Sequence, residues 1–122
     1  MKVKQALAAL AALSQDTRLA AFRKLVRSGP EGVAAGGLAR SLKVAAPTLS
    51  FHLKELERAL LVRQRREGRA IVYSANYEAM RALLSFLMED CCGGKPEICD
   101  IQICCEPPRA SGRERATANT SR

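Results

Sequence analysis

Tryptophan is absent, and Phe and Tyr together make up only 4% of the 122 residues. The core must therefore be built from Leu, Ala and Val, and a hydrophobic share of 48% supplies enough of them for one small domain. Histidine occurs once, at His52, with no second histidine or carboxylate at a spacing that would make a metal site there. No long apolar run exists. The longest, Ala6 to Leu13, is too short to cross a bilayer and has no signal-type cleavage site, which points to a cytoplasmic protein with no membrane-embedded part. Acidic residues are scarce relative to basic ones, 12 against 20, leaving a net charge of +8. That balance favours a polyanionic partner, nucleic acid or a membrane surface, over plain solubility charge. Cysteine is missing from the whole chain before Cys91 and after Cys105, yet five occur between those positions. A core hydrophobe would be scattered among the apolar stripes, whereas clustering sets several soft sulfur ligands within reach of one another.

The pattern of what is present is helical. Val3, Leu7, Leu10 and Leu13 predict a first helix from about Lys2 to Leu13 with a leucine stripe. The polar run Ser14–Thr17 interrupts it, with Asp16 near the start of a second helix whose stripe is Leu19, Phe22, Leu25 and Val26. Gly29-Pro30 stops that helix, and a glycine-rich connection spans Gly32 to Gly37. Leu38, Ala39 and Leu42 mark a short third helix. Three residues, Lys43–Ala45, separate it from a fourth that begins near Ala46 or Pro47. Leu49, Leu53, Leu56 and Leu60 follow at steps of four, three and four, a buried stripe. Thr48, Ser50, Phe51, His52, Lys54 and Glu55 occupy the other face.

A hairpin is expected next. Val62–Arg66 and Arg69–Ser74 flank Glu67-Gly68, a pair suited to a tight turn, with arginines crowding the tip. Asn76 is the expected cap of a fifth helix bearing Tyr77, Met80, Leu83, Leu84, Leu87 and Met88, with Cys91 in phase. Gly93-Gly94 would end that helix.

Two helices across a three-residue turn, followed by a basic hairpin, define a winged helix-turn-helix: mainly α with a small β-hairpin wing. The fourth helix, held by its leucines, offers Thr48, Ser50, Phe51, His52 and Lys54 to a major groove, and Arg65, Arg66 and Arg69 suit the adjacent backbone or minor groove. His52 suits a phosphate or base contact and, about equally, helix-to-helix packing. Residues 1–90 are read as the DNA-binding and dimerisation domain, 91–105 as an effector-binding segment, and the polar run 106–122 as a disordered tail.

The segment Ser50-Phe51-His52-Leu53-Lys54-Glu55-Leu56, with Leu60-Leu61-Val62, Arg66-Glu67-Gly68-Arg69, Tyr73 and the upstream run from Leu13 to Leu19, resembles the ArsR/SmtB family of metal- and metalloid-responsive repressors. The likeness covers roughly residues 5–90. It implies a homodimer through the first and fifth helices that binds double-stranded operator DNA as an imperfect palindrome and lets go when an effector binds. Two positions depart from the family pattern. Leu60 stands where glycine usually closes the recognition helix in a left-handed turn, and Ala45 replaces the usual serine cap.

Family members differ in where the effector sits. The third helix here has no Cys-x-Cys and the fifth has no histidine, which leaves the C-terminal thiols. Cys91 and Cys92 followed by Cys99 resemble the arsenite-sensing variety, with Cys104 and Cys105 as extra or alternative ligands. As(III), and also Sb(III) or methylarsenite, is soft and suited to thiolates. A tetrahedral ion such as Zn or Cd could also be satisfied by five cysteines, and thiol oxidation is a third reading. An arsenical-processing enzyme would need a redox motif or a paired base. No Cys-x-x-Cys occurs, so the chain is read as a regulator of arsenical resistance rather than an enzyme.

Overall fold

Helix α1, Val3–Leu13, turns its alanines inward. Ala6, Ala9 and Ala12 are buried, whereas Val3, Leu7 and Leu10 are 60%, 61% and 40% exposed. Of the predicted stripe, Val3, Leu7 and Leu10 thus face away from the chain's own core, while Leu13 packs against it. Small side chains let α1 lie close against its neighbours, and the larger ones are left over for something else.

The structure, a computed structural model, describes residues 1–89, and these form one unit. The cysteine segment 91–105 and the tail 106–122 lie outside the described residues. Helix α2, Asp16–Ser28, is capped by Gln15, whose side-chain oxygen accepts from the Arg18 N–H at 2.9 Å. Its inward face is Ala21, Phe22 and Leu25. Strand β1, Val33–Ala34, and helix α3, Ala35–Leu42, follow. The glycine-rich connection is therefore shorter than its composition suggests. Gly36 and Gly37 lie in the first turn of α3, where tertiary contacts outweigh their poor propensity.

Lys43, in the left-handed region at φ +58°, ends α3, and the turn to α4 (Ala46–Arg58) spans Lys43–Ala45 as the spacing predicts. Leu49, Leu53 and Leu56 of α4 are essentially inaccessible. Leu60 breaks the expected stripe. It lies beyond the helix, 55% exposed, with φ +68°. The Leu60 N–H donates to the Glu57 carbonyl at 2.9 Å and the Leu61 N–H to the Leu56 carbonyl at 3.0 Å, so the helix closes in a Schellman turn. The left-handed turn that glycine usually makes is kept here by a leucine, and the inward position passes to Leu61.

Strands β2 (Val62–Glu67) and β3 (Ala70–Ala75) form the wing. The register pairs Glu67 with Ala70, so the two-residue loop is Gly68-Arg69 rather than Glu67-Gly68, with Gly68 at φ +62°. Strand β1 adds to β3 antiparallel, giving the sheet order β1-β3-β2. Gly32 makes that third strand possible, because a Cβ there would run into the Tyr73 carbonyl oxygen. Helix α5, Tyr77–Met88, is capped by Asn76 as expected and buries Leu83, while Leu84 and Leu87 stay 38% and 50% exposed. No helix is long and apolar enough to cross a membrane among the described residues.

Candidate nucleic-acid interface

Helix α4 carries two opposed stripes. Leu49, Leu53 and Leu56 fix one side to the core, and Pro47, Phe51, Lys54 and Arg58, at steps of four, three and four, are all exposed on the other. Thr48 and Ser50 flank that outer stripe and are exposed too. Thr48, Ser50, Phe51 and Lys54 are therefore brought together on one solvent face. The helix begins without a side-chain cap, since Ala45 has no polar atom to offer; Pro at the second position limits the loss because its missing N–H would be unsatisfied anyway.

His52 is half-buried at the edge of this face. Arg18 Nη1 lies 3.2 Å from its Nδ1, a hydrogen bond that requires the neutral ring with its proton on Nε2. Arg18 also donates from Nε to the Ala12 carbonyl at 2.7 Å. The end of α1, the start of α2 and the middle of α4 are thereby joined through one guanidinium. Sequence reasoning missed Arg18, because its partners are brought to it by tertiary packing. On the other side of His52, the Phe51 ring stands edge-on at 5.4 Å between centroids, with the planes at 65°.

The wing is braced onto the body. Gln64 Nε2 donates to both Glu57 carboxylate oxygens at 3.1 Å, which ties β2 to α4. Arg65 donates from Nη2 to the Glu31 carbonyl at 2.7 Å and from Nε to Glu67 at 2.7 Å, so part of its donor set already holds the wing in place. Arg66 and Arg69 sit exposed at the tip, and their side chains make no hydrogen bond or ion pair with another described residue. Buried Tyr73 supports the sheet from β3; desolvation, and secondarily the Glu57 charge, raises its phenol above the usual range and keeps it neutral.

Asn76 ties α4 to α5. Its Nδ2 donates to the Leu60 carbonyl at 2.8 Å, its Oδ1 accepts from the Ala79 N–H at 3.2 Å, and its backbone N–H donates to the Leu61 carbonyl at 2.8 Å. Among the described residues, no group of three or more His, Cys, Asp or Glu side chains is placed to hold a metal. The proposed thiol ligands Cys91, Cys92 and Cys99, with alternatives Cys104 and Cys105, lie outside the described residues.

A three-strand sheet whose hairpin stands beside a helix-turn-helix with a polar outer face defines the winged helix-turn-helix class of fold. A family profile described as a helix-turn-helix domain matches residues 13–65. The HTH-type transcriptional regulator YgaV of Escherichia coli is 34% identical over 89 residues, covering 73% of this chain and 88% of that protein. An ArsR-like transcriptional regulator from Rhodococcus sp. RHA1 superposes with a TM-score of 0.65 at 25% identity, over 84% of this chain and 94% of its own. The homodimeric winged helix-turn-helix domain of Mb0332 from Mycobacterium bovis gives 0.59 at 25% identity, over 72% and 82%. The chain belongs to the ArsR family of transcriptional regulators.

Proposed function

We propose that this regulator is a homodimeric repressor that releases its operator when As(III) binds the thiolates of Cys91, Cys92 and Cys99. The observation that carries the reading is the confinement of all five thiols to residues 91–105, directly after α5 ends at Met88. Helices α1 and α5 pack together and both keep leucines in solvent, which supports a second copy pairing through them. Thr48, Ser50, Phe51 and Lys54 enter the major groove, with His52 at their edge. Arg66 and Arg69 reach the backbone beside it, and Arg65 sets the wing from which they do so.

Three thiolates suit the pyramidal coordination of a soft trivalent ion, and the same set would accept Sb(III). Binding at the end of α5 shifts the paired helices. Asn76, bonded to both α5 and the end of α4, carries that shift to the reading helix. The release is a binding linkage, on the order of five- to 150-fold in operator affinity.

The test is fluorescence anisotropy with a duplex selected by the protein from a random pool. Arsenite is expected to weaken binding by wild type, while the triple variant Cys91→Ser, Cys92→Ser, Cys99→Ser binds equally well and ignores arsenite. Arsenite-driven release of the triple variant would refute the assignment. The two further thiols, Cys104 and Cys105, favour one alternative, a four-thiolate Zn or Cd site, and release by those ions but not by arsenite would establish it.

A further inference from the structure

Five aromatic residues serve the whole chain. Phe22 and Tyr73 are buried in the core and Tyr77 and Phe86 pack against it. Phe51 alone stands in solvent, 59% exposed, in the middle of the outer stripe of α4. A chain so short of aromatic surface gains little for its own core from a phenylalanine there.

We propose that Phe51 is a specificity-determining residue that packs on the 5-methyl group of a thymine in each operator half-site. The inference rests on the reading that α4 enters the major groove. On base-pair edges in that groove every feature is a hydrogen-bond donor or acceptor except the thymine methyl, and a phenyl ring has neither donor nor acceptor to offer. Thr48, Ser50 and Lys54 around it provide the polar contacts that fix register. The ring is also held in place. His52 meets it edge-on, and Arg18 holds His52 and the Ala12 carbonyl, so the aromatic pair is backed by α1 and α2 rather than left to swing. A fixed apolar group discriminates better than a mobile one, because less side-chain freedom is lost on binding.

The experiment uses the full chain and a duplex enriched by it from a random pool, with each thymine replaced in turn by deoxyuridine, which removes the methyl and keeps the pairing. For wild type, one thymine per half-site is expected to be methyl-sensitive, losing on the order of fourfold in affinity, the value of one buried methyl-sized group. Phe51→Ala should bind the parent duplex more weakly and show no penalty for deoxyuridine at that position. Phe51→Leu, still apolar, should keep part of the penalty. A scan with no methyl-sensitive thymine, or sensitivity that survives Phe51→Ala, overturns the assignment to Phe51 alone. If no motif is enriched, or Lys54→Ala leaves affinity for the enriched duplex unchanged, the groove-reading helix itself is overturned and this inference with it.

Discussion

Helices α1 and α4 carry nearly the same leucine pattern and use it in opposite ways. In α4, Leu49, Leu53 and Leu56 point inward and the outer stripe is free to meet DNA. In α1, alanines fill the inward positions while Val3, Leu7 and Leu10 remain exposed. Periodicity therefore announces a helix with an apolar stripe without saying what the stripe is for. The choice is made by neighbours. Helix α4 packs against α2, α3 and the wing with room for branched side chains, and α1 approaches closely enough that alanine suffices. One stripe is spent on the monomer's core, and the other is left in solvent for the proposed dimer interface.

The largest effect should come from treating the two stripes alike. Leu53→Ala removes a side chain with no solvent exposure and should cost about 2–5 kcal/mol, measured by urea unfolding. The outward counterpart, Leu7→Ala, should leave protomer packing within about 0.5 kcal/mol. Its cost should appear instead in the monomer–dimer equilibrium, as a melting temperature that depends more steeply on protein concentration. Equal, concentration-independent losses at Leu7 and Leu53 would erase the distinction.

A smaller effect is expected from the inward face of α1. Ala9 is fully buried, and Ala9→Leu should cost about 1–3 kcal/mol through overpacking, although it makes α1 more apolar. Calorimetry that found Ala9→Leu neutral would mean that α1 is not held closely by its alanines.

The same contrast marks how far the sequence could be read. The turn Lys43–Ala45, the inner stripe of α4, the Asn76 cap and the polar face with Phe51 and Lys54 were all legible, because each rests on local spacing or a local capping preference. Strand β1 was not. Two residues carry no period, and Val33–Ala34 is a strand only because Tyr73 and Val72 pair with it. The direction of the α1 stripe, the bond from Arg18 to His52 and the anchoring of Arg65 by Glu31 all join residues far apart in the chain. Composition located the thiol cluster, and the resemblance supplied the ligand proposed for it.

Leu60 lies where the two kinds of stripe meet, and it should give the smallest effect and an inverted order. By spacing it is the fourth inward leucine of α4, yet it stands outside at φ +68°, closing the helix. A left-handed conformation costs a non-glycine residue about 1–2 kcal/mol. Leu60→Gly removes that cost but returns about 0.4–1 kcal/mol through a freer unfolded chain. It also gives up the contacts of a side chain that is 55% exposed, roughly half of the 1.5–3 kcal/mol for a fully buried leucine. These contributions nearly cancel, so Leu60→Gly should change stability by less than about 1 kcal/mol. Leu60→Ala loses much the same contacts and keeps the left-handed strain, so it should be less stable than the glycine variant. Within a helix alanine outranks glycine by about 1 kcal/mol. Denaturation midpoints of the two variants, compared at equal protein concentration, decide the point: alanine above glycine at position 60 would mean that the residue belongs to the helix after all.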